Sequence, residues 1–334
     1  IYPSNHVKPM TKEQITIYDI LQEKLKDRIA LPMDEFINIV LYDPSFGYYS
    51  QIRERVGKST NTDFYTSNTF GTLWGEMIVD ACENILHGQE IENYTFVEIA
   101  AEPNCSILKN IEHPFLSSIT YRLGDSIEIP SPAIVFSNEW LDAQPFKRYR
   151  YYSAEKRWRE VGVQLMNGEL SEFILPEIID PPFPDASPNE YTIDWPTGAD
   201  HSLKQVVSEP WIGLFLSFDY GLSKESIVYE RPEGTARAYY KHKMNCDLFS
   251  RPGEQDLTCH LCWDELIKLL KQGNFEKVSL ESQESFFMHY SQNKIKSLIE
   301  KTDNSMNKQV QKLKELIHPQ HFGSKFQALW GIRN

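Results

Sequence analysis

Residues 133–146, AIVFSNEWLDAQPF, decide the fold. Ala133, Ile134, Val135 and Phe136 form a short apolar run of the kind that parallel sheets bury on both faces. Asn138, Glu139 and Asp142 follow at once, and Pro145 stops any regular continuation. A buried strand that ends in a polar, acidic loop is where open α/β sheets carry their chemistry, at the carboxyl ends of the strands. The same residues also suit a surface helix start, with Asn138 as N-cap and Glu139 and Asp142 in the first turn. Spacing alone leaves both readings open.

Two further runs share the apolar character. Residues 94–99, YTFVEI, lead into AAEPN and then CSILKNI, a strand–turn–helix pattern. In dinucleotide-binding folds glycines in that turn let the backbone approach the ligand; here Ala100, Ala101 and Asn104 occupy it. Only 33 residues separate Ile99 from Ala133, room for one helix and one strand at 119–123, closed by Gly124-Asp125. The sheet is therefore expected to be one strand short on the side that receives a ribose. The other run, WIGLFLSF at 211–218, ends in the polar turn Asp219-Tyr220-Gly221.

Around these runs the chain divides into four expected regions. Residues 1–90 form a helical cap, with helices at 11–30, 34–41 and 71–86. Residues 91–145 are the first half of the core. Residues 146–210 are an insertion, in which strands at 146–152, 158–165 and 170–175 turn at Asn167-Gly168, and 176–210 form a proline-rich connection. Residues 211–334 are the second half, with strands at 237–240 and 275–280, a helix at 263–270 and a peripheral helix pair at 294–318. The expected class is α/β: a doubly wound, mostly parallel Rossmann-like sheet, one strand short, with a helical cap and an inserted β-hairpin region.

The chain has 334 residues, 41% hydrophobic and 24% charged, which is ordinary for a globular protein. Its net charge of −13 excludes a generic nucleic-acid binder, which needs a basic surface. No apolar run reaches the roughly 18–20 residues that span a bilayer, and the opening IYPSNHVKPMTKEQ lacks a signal-peptide pattern. Cys259-His260-Leu261-Cys262 has the spacing of half a zinc site, with His242 and Cys246 upstream, but no second pair matches it. Reduced cysteines in a cytoplasmic protein without a metal are expected.

Read together, several blocks resemble the MidA-like family of S-adenosylmethionine-dependent methyltransferases, which includes the mitochondrial complex I assembly factor that methylates a protein arginine. They are YDPSFGYY at 42–49, DFYTS at 63–67, WGE at 74–76, FVEI at 96–99, NEWLDAQP at 138–145 and DYG at 219–221. Gly234-Thr235, Arg237-Ala238-Tyr239, His242, Pro252-Gly253, Asp256, Thr258 and His260 complete the set. All stand in the family order, from about residue 31 to 287. The sequence departs from the pattern at the glycine-rich turn, now Ala100-Ala101-Glu102-Pro103-Asn104, at Thr62 in place of a glycine, and in the second strand with its ribose-binding acid, which is expected to be absent.

The resemblance implies S-adenosylmethionine as cofactor and a protein presenting arginine as partner. Asp63, Thr66, Ser67, Glu98, Ala100, Glu102, Asn104, Asp125 and Asp219 are the implied cofactor residues; capping and turn roles stay open for Asp63, Thr66 and Ser67, and a turn role for Asp219. A guanidinium is protonated in water, and a carboxylate pair can hold it bidentately. Glu139 and Asp142 supply the pair, Asn138 fixes their geometry, and His260 or His242 could accept the released proton. Asp219 and Tyr220 would line the same crevice. A rival class is a binding or assembly module that keeps the fold without the cofactor. A nicotinamide-dependent oxidoreductase fails on the same missing glycines.

Overall fold

A computed structural model describes residues 15–50, 71–101, 105–178, 181, 183–184, 188–241, 243–300, 308–318 and 326–334. Its helices are α1 (Ile17–Leu25), α2 (Met33–Tyr42), α3 (Thr72–Ile85), α4 (Thr197–Ser208), α5 (Lys224–Tyr229), α6 (Trp263–Gln272), α7 (Gln283–Tyr290), α8 (Gln292–Glu300) and α9 (Lys308–Ile317). The central sheet contains β1 (Thr95–Ile99), β2 (Ser117–Tyr121), β3 (Ala133–Asn138), β4 (Gly213–Asp219), β5 (Glu276–Ser282) and β6 (Gln327–Arg333).

The three apolar runs become neighbours. The strand order is β2-β1-β3-β4-β6-β5, with β2, β1, β3 and β4 parallel and the β4–β6 and β6–β5 pairs antiparallel. Side chains alternate along each strand. Phe96, Ile134, Phe136, Leu214, Leu216 and Phe218 face one layer, built from α3, α7, α8 and α9. Val97, Ile99, Ala133, Val135 and Phe215 face the other, built from α4 and α6. Burial on both faces explains why β1, β3 and β4 read as continuous apolar runs.

The insertion folds into a separate five-stranded antiparallel sheet of Leu31–Pro32, Lys147–Tyr152, Arg157–Met166, Glu169–Ile178 and Thr192–Trp195. Its hairpin turns at Asn167 and Gly168, both at positive φ (52° and 82°), as a two-residue turn matched to strand twist requires. Helices α1 and α2 pack in one cluster with Phe146 and Val163 of this region. Within the sheet a nearly buried ion pair joins two strands, Arg148 Nε meeting Asp194 Oδ1 at 2.7 Å. Asp194 also ties the sheet to the segment before residue 237, since its Oδ2 accepts from the backbone N–H groups of Thr235 and Ala236, both at 2.8 Å.

The structure corrects several expectations. Residues 107–110 form turns rather than a helix. They approach α3 closely at Gly75, where a Cβ would collide with the Ile107 carbonyl oxygen. The second strand is present: β2 pairs in parallel with β1. Beyond it, 122–132 carry no regular element and, among the described residues, no strand pairs with the outer edge of β2. Residues 176–210 are more than a connection. Tyr191, Ile193 and Trp195 alternate into a buried strand, and Ala199, Leu203, Val206 and Val207 give α4 its buried face. The C-terminal helices are not peripheral, for Leu298, Leu313 and Leu316 enter the core. Strand β6, unforeseen, is a buried member of the sheet.

Candidate active site

Strand β3 ends in bends and turns, not a helix, so the helix-start reading of residues 138–142 fails. Glu139 adopts φ 51°, which reverses the chain, and Pro145 prevents a helix further on. The hydrogen-bond ladder runs one residue past the strand: the Glu139 N–H donates to Phe218 O at 2.9 Å. Asp219, fully buried at the end of β4, continues it with its side chain. Its Oδ2 accepts from the N–H groups of Leu141 (3.0 Å) and Asp142 (3.3 Å), and its Oδ1 from the N–H of Tyr220 (3.0 Å). Asn138 Nδ2 donates to Glu139 Oε1 at 3.0 Å, while Asn138 Oδ1 is buried with no hydrogen-bond partner.

These residues sit within an acid and tyrosine cluster. Burial, then the Asp219 charge and more weakly Asp256, push the proton affinity of Asp142 well up, against a hydrogen bond from the Tyr220 hydroxyl. Burial moves Asp219 up to about 7, opposed by its backbone N–H donors and reinforced by Glu139. The Tyr49 hydroxyl donates to Asp256 Oδ1 at 2.8 Å, and the Tyr42 hydroxyl to Ala143 O at 2.7 Å. Their rings stack with centroids 5.5 Å apart. The segment that ends α2 thereby reaches the loop after β3. Burial also raises Tyr42, Tyr49, Tyr220 and Tyr239, each next to one or more of these carboxylates.

Among the expected catalytic residues, the structure brings Asn138, Glu139 and Asp142 together. His260 meets the Tyr220 ring edge-on, ring centroids 6.0 Å apart. Burial first, then the charges of Arg231 and Arg237, lower it to about 4, so it is neutral at physiological pH. The expected cofactor residues divide. Ala100 follows β1 at φ 65°, a left-handed conformation that glycine adopts more readily than alanine. Glu98 is buried, its carboxylate accepting from the N–H of Ile107 at 2.9 Å. Burial, partly offset by that bond and one to Ser106, raises its pKa. Asp125 is exposed beyond β2 and accepts from the N–H of Arg122 at 2.7 Å, closing its own turn. Asp63, Thr66, Ser67, Glu102, Asn104 and His242 lie outside the described residues.

Sequence reasoning assigned no role to Asp256, Tyr42, Tyr49 or Tyr239. The available signal was the place of the tyrosines in the blocks YDPSFGYY and RAY, and of Asp256 beside Thr258 and His260, all of which the fold gathers around one loop. Cys259 and Cys262 are buried free thiols. No group of three or more potential ligands that could hold a metal is present among the described residues. No helix among them is long and apolar enough to cross a membrane.

A family described as "Putative S-adenosyl-L-methionine-dependent methyltransferase" matches residues 71–280. The chain belongs to that family. Among solved structures, it is similar to a Burkholderia thailandensis protein described as a "likely methyl transferase", bound to S-adenosyl-homocysteine. The TM-score is 0.79 at 18% identity, covering 95% of this chain and 92% of that one. The native structure of an uncharacterized protein of the same superfamily from the same organism gives 0.77 at 18% identity, covering 95% and 91%. At that identity the likeness carries the fold. No curated protein matches the chain.

For the family's cofactor the donor set can be tested directly. Ala100 turns the chain at positive φ directly after β1. The unpartnered Asn138 Oδ1 at the end of β3 is an acceptor for a ligand N–H. The neighbouring carboxylates suit a ligand with positive charge. These features fit S-adenosylmethionine, with Asn138 as the described residue that would hold it.

Proposed function

We propose that this chain is an active S-adenosylmethionine-dependent methyltransferase of the MidA-like type whose acceptor is an arginine presented by a protein. On this reading the central sheet is a Rossmann-like, doubly wound sheet lacking its outermost strand. The observation that carries the acceptor assignment is the loop after β3. There Asp142 is braced at its backbone N–H by Asp219, the charges of Asp219 and Asp256 add to burial in raising its proton affinity, and Glu139 does the same to Asp219. A planar, permanently charged guanidinium offsets that repulsion and donates bidentate hydrogen bonds to carboxylates.

When bound, the cofactor supplies a methyl group on a sulfonium. The chain's own residues do the rest. Glu139 and Asp142 align one guanidino nitrogen and concentrate charge on the others, which is catalysis by positioning. That nitrogen would accept the bound cofactor's methyl group, with the cofactor's sulfur as leaving group, and would lose a proton. That proton goes to a carboxylate of the cluster, whose proton affinity burial has raised. His260, with a pKa near 4, holds a proton poorly and is not the acceptor.

One observation favours the alternative of a binding or assembly module, namely alanine in place of glycine in the turn after β1. The separating experiment offers the protein tritiated S-adenosylmethionine with a glycine–arginine repeat peptide and its glycine–lysine counterpart. Methyl transfer to the arginine peptide alone supports the proposal. Cofactor binding without transfer to either leaves the arginine assignment wrong, and no cofactor binding leaves the module.

A further inference from the structure

Asp219 occupies the end of β4 where an open α/β sheet presents ligand-binding side chains, yet its oxygens are turned inward. The residue is fully buried. Oδ2 receives the N–H groups of Leu141 and Asp142 at 3.0 and 3.3 Å, and Oδ1 that of Tyr220 at 3.0 Å. No regular ladder reaches residues 140–142, because the chain has already reversed at Glu139. One carboxylate replaces that ladder. It also fixes the backbone of Tyr220, whose hydroxyl is bonded to the Asp142 carboxyl group. The loop is thus held at its backbone by Asp219 and at its working side chain by the next residue.

We propose that Asp219 is a positioning residue for methyl transfer: it pins Leu141 and Asp142, and so sets where Glu139 and Asp142 meet the acceptor, without touching the cofactor. This rests on the reading above that the loop receives the acceptor. Asparagine is isosteric but presents one acceptor oxygen and an N–H2 group. Asp219→Asn therefore loses bonds to at least one side of the brace with little change in volume.

The test uses the whole chain, as wild type, Asp219→Asn and Tyr220→Phe. Amide hydrogen exchange is read at residues 139–142, S-adenosyl-homocysteine binding by calorimetry, and tritium transfer to the glycine–arginine peptide at saturating cofactor. For Asp219→Asn, exchange at Leu141 and Asp142 should rise about tenfold, as the loss of a bond to a charged group implies. S-adenosyl-homocysteine affinity should stay within about threefold, while the turnover rate falls about tenfold or more. Tyr220→Phe keeps the backbone brace, so it should lower turnover without raising exchange; if Asp219→Asn fails to fold, Asp219→Glu, which displaces the same oxygens, carries the test with the same readouts and outcomes. Weakened S-adenosyl-homocysteine binding with unchanged exchange would make Asp219 a cofactor ligand and overturn the proposal. Raised exchange with unchanged turnover would overturn it as well, leaving a purely structural bond. Failure of the wild type to bind S-adenosyl-homocysteine or methylate the peptide counts against the proposed function instead, and the exchange data still decide whether Asp219 holds the loop.

Discussion

Ala100 carries a conformation that its side chain disfavours. At φ 65° an L-residue with a Cβ costs roughly 1–2 kcal/mol, partly offset because alanine loses less backbone entropy on folding than glycine. Ala100→Gly should therefore stabilise the protein by about 0.5–1 kcal/mol, measured by chemical denaturation. A loss of stability would mean that the bend is not strained. Glu139 is the complementary case, half-buried and charged. Glu139→Gln keeps its size and removes the charge, so it probes guanidinium clamping. Losing one charge-assisted hydrogen bond, about 1.5–3 kcal/mol, lowers turnover roughly tenfold to a hundredfold, with stability barely changed. Unaltered turnover on the arginine peptide would remove Glu139 from the site. Asn138, Glu139 and Asp142 were legible because they follow an apolar run directly. The left-handed φ at Ala100 was not, since composition shows that glycine is missing but not which backbone conformation its replacement adopts. Nor could spacing show that the Asp219 oxygens are taken by backbone N–H groups.

At the scale of elements, α4 tests how burial is tuned against charge. Asp200 lies in its first turn with Oδ1 buried and without a hydrogen-bond partner. Burial, aided by Glu265 and opposed by Lys268, raises it from 3.8 to about 7. The folded chain thus keeps this proton after the unfolded chain has lost it. The contribution to stability is complete below about pH 4, falls as pH rises toward 7, and stays lost above that. Asp200→Asn removes the group, so the variant should gain stability relative to wild type progressively from about pH 4 to 7, followed by denaturant melts across that range. A gap between the two that does not change with pH would contradict the assignment. Element legibility followed burial pattern. β1, β3 and β4 are buried on both faces and stood out as apolar runs, and the inserted hairpin was marked by Asn167-Gly168. Helix α4 was hidden because prolines at 181–196 masked the spacing of Ala199, Leu203, Val206 and Val207. Strand β6 was missed although ALWGI at 328–332 is apolar, because its partner β4 lies more than a hundred residues upstream.

The whole molecule places an acidic loop at the parallel end of a mixed sheet. The short spacing between Ile99 and Ala133 was read as removing the second strand, whereas β2 is present, exposed along the edge, and no strand pairs beyond it among the described residues. The cap reaches the loop through Tyr42 and Tyr49, contacts between residues roughly 100 and 200 positions apart that no local pattern encodes. Acidic side chains near that loop, family membership and the unpartnered Asn138 oxygen all support cofactor-dependent methyl transfer, while alanine in the turn supports its loss. Calorimetric titration of the intact protein with S-adenosylmethionine separates the two most directly. The account predicts saturable one-site binding within the roughly 1 µM to 1 mM range in which enzymes hold their substrates; the absence of binding up to about 1 mM would contradict it.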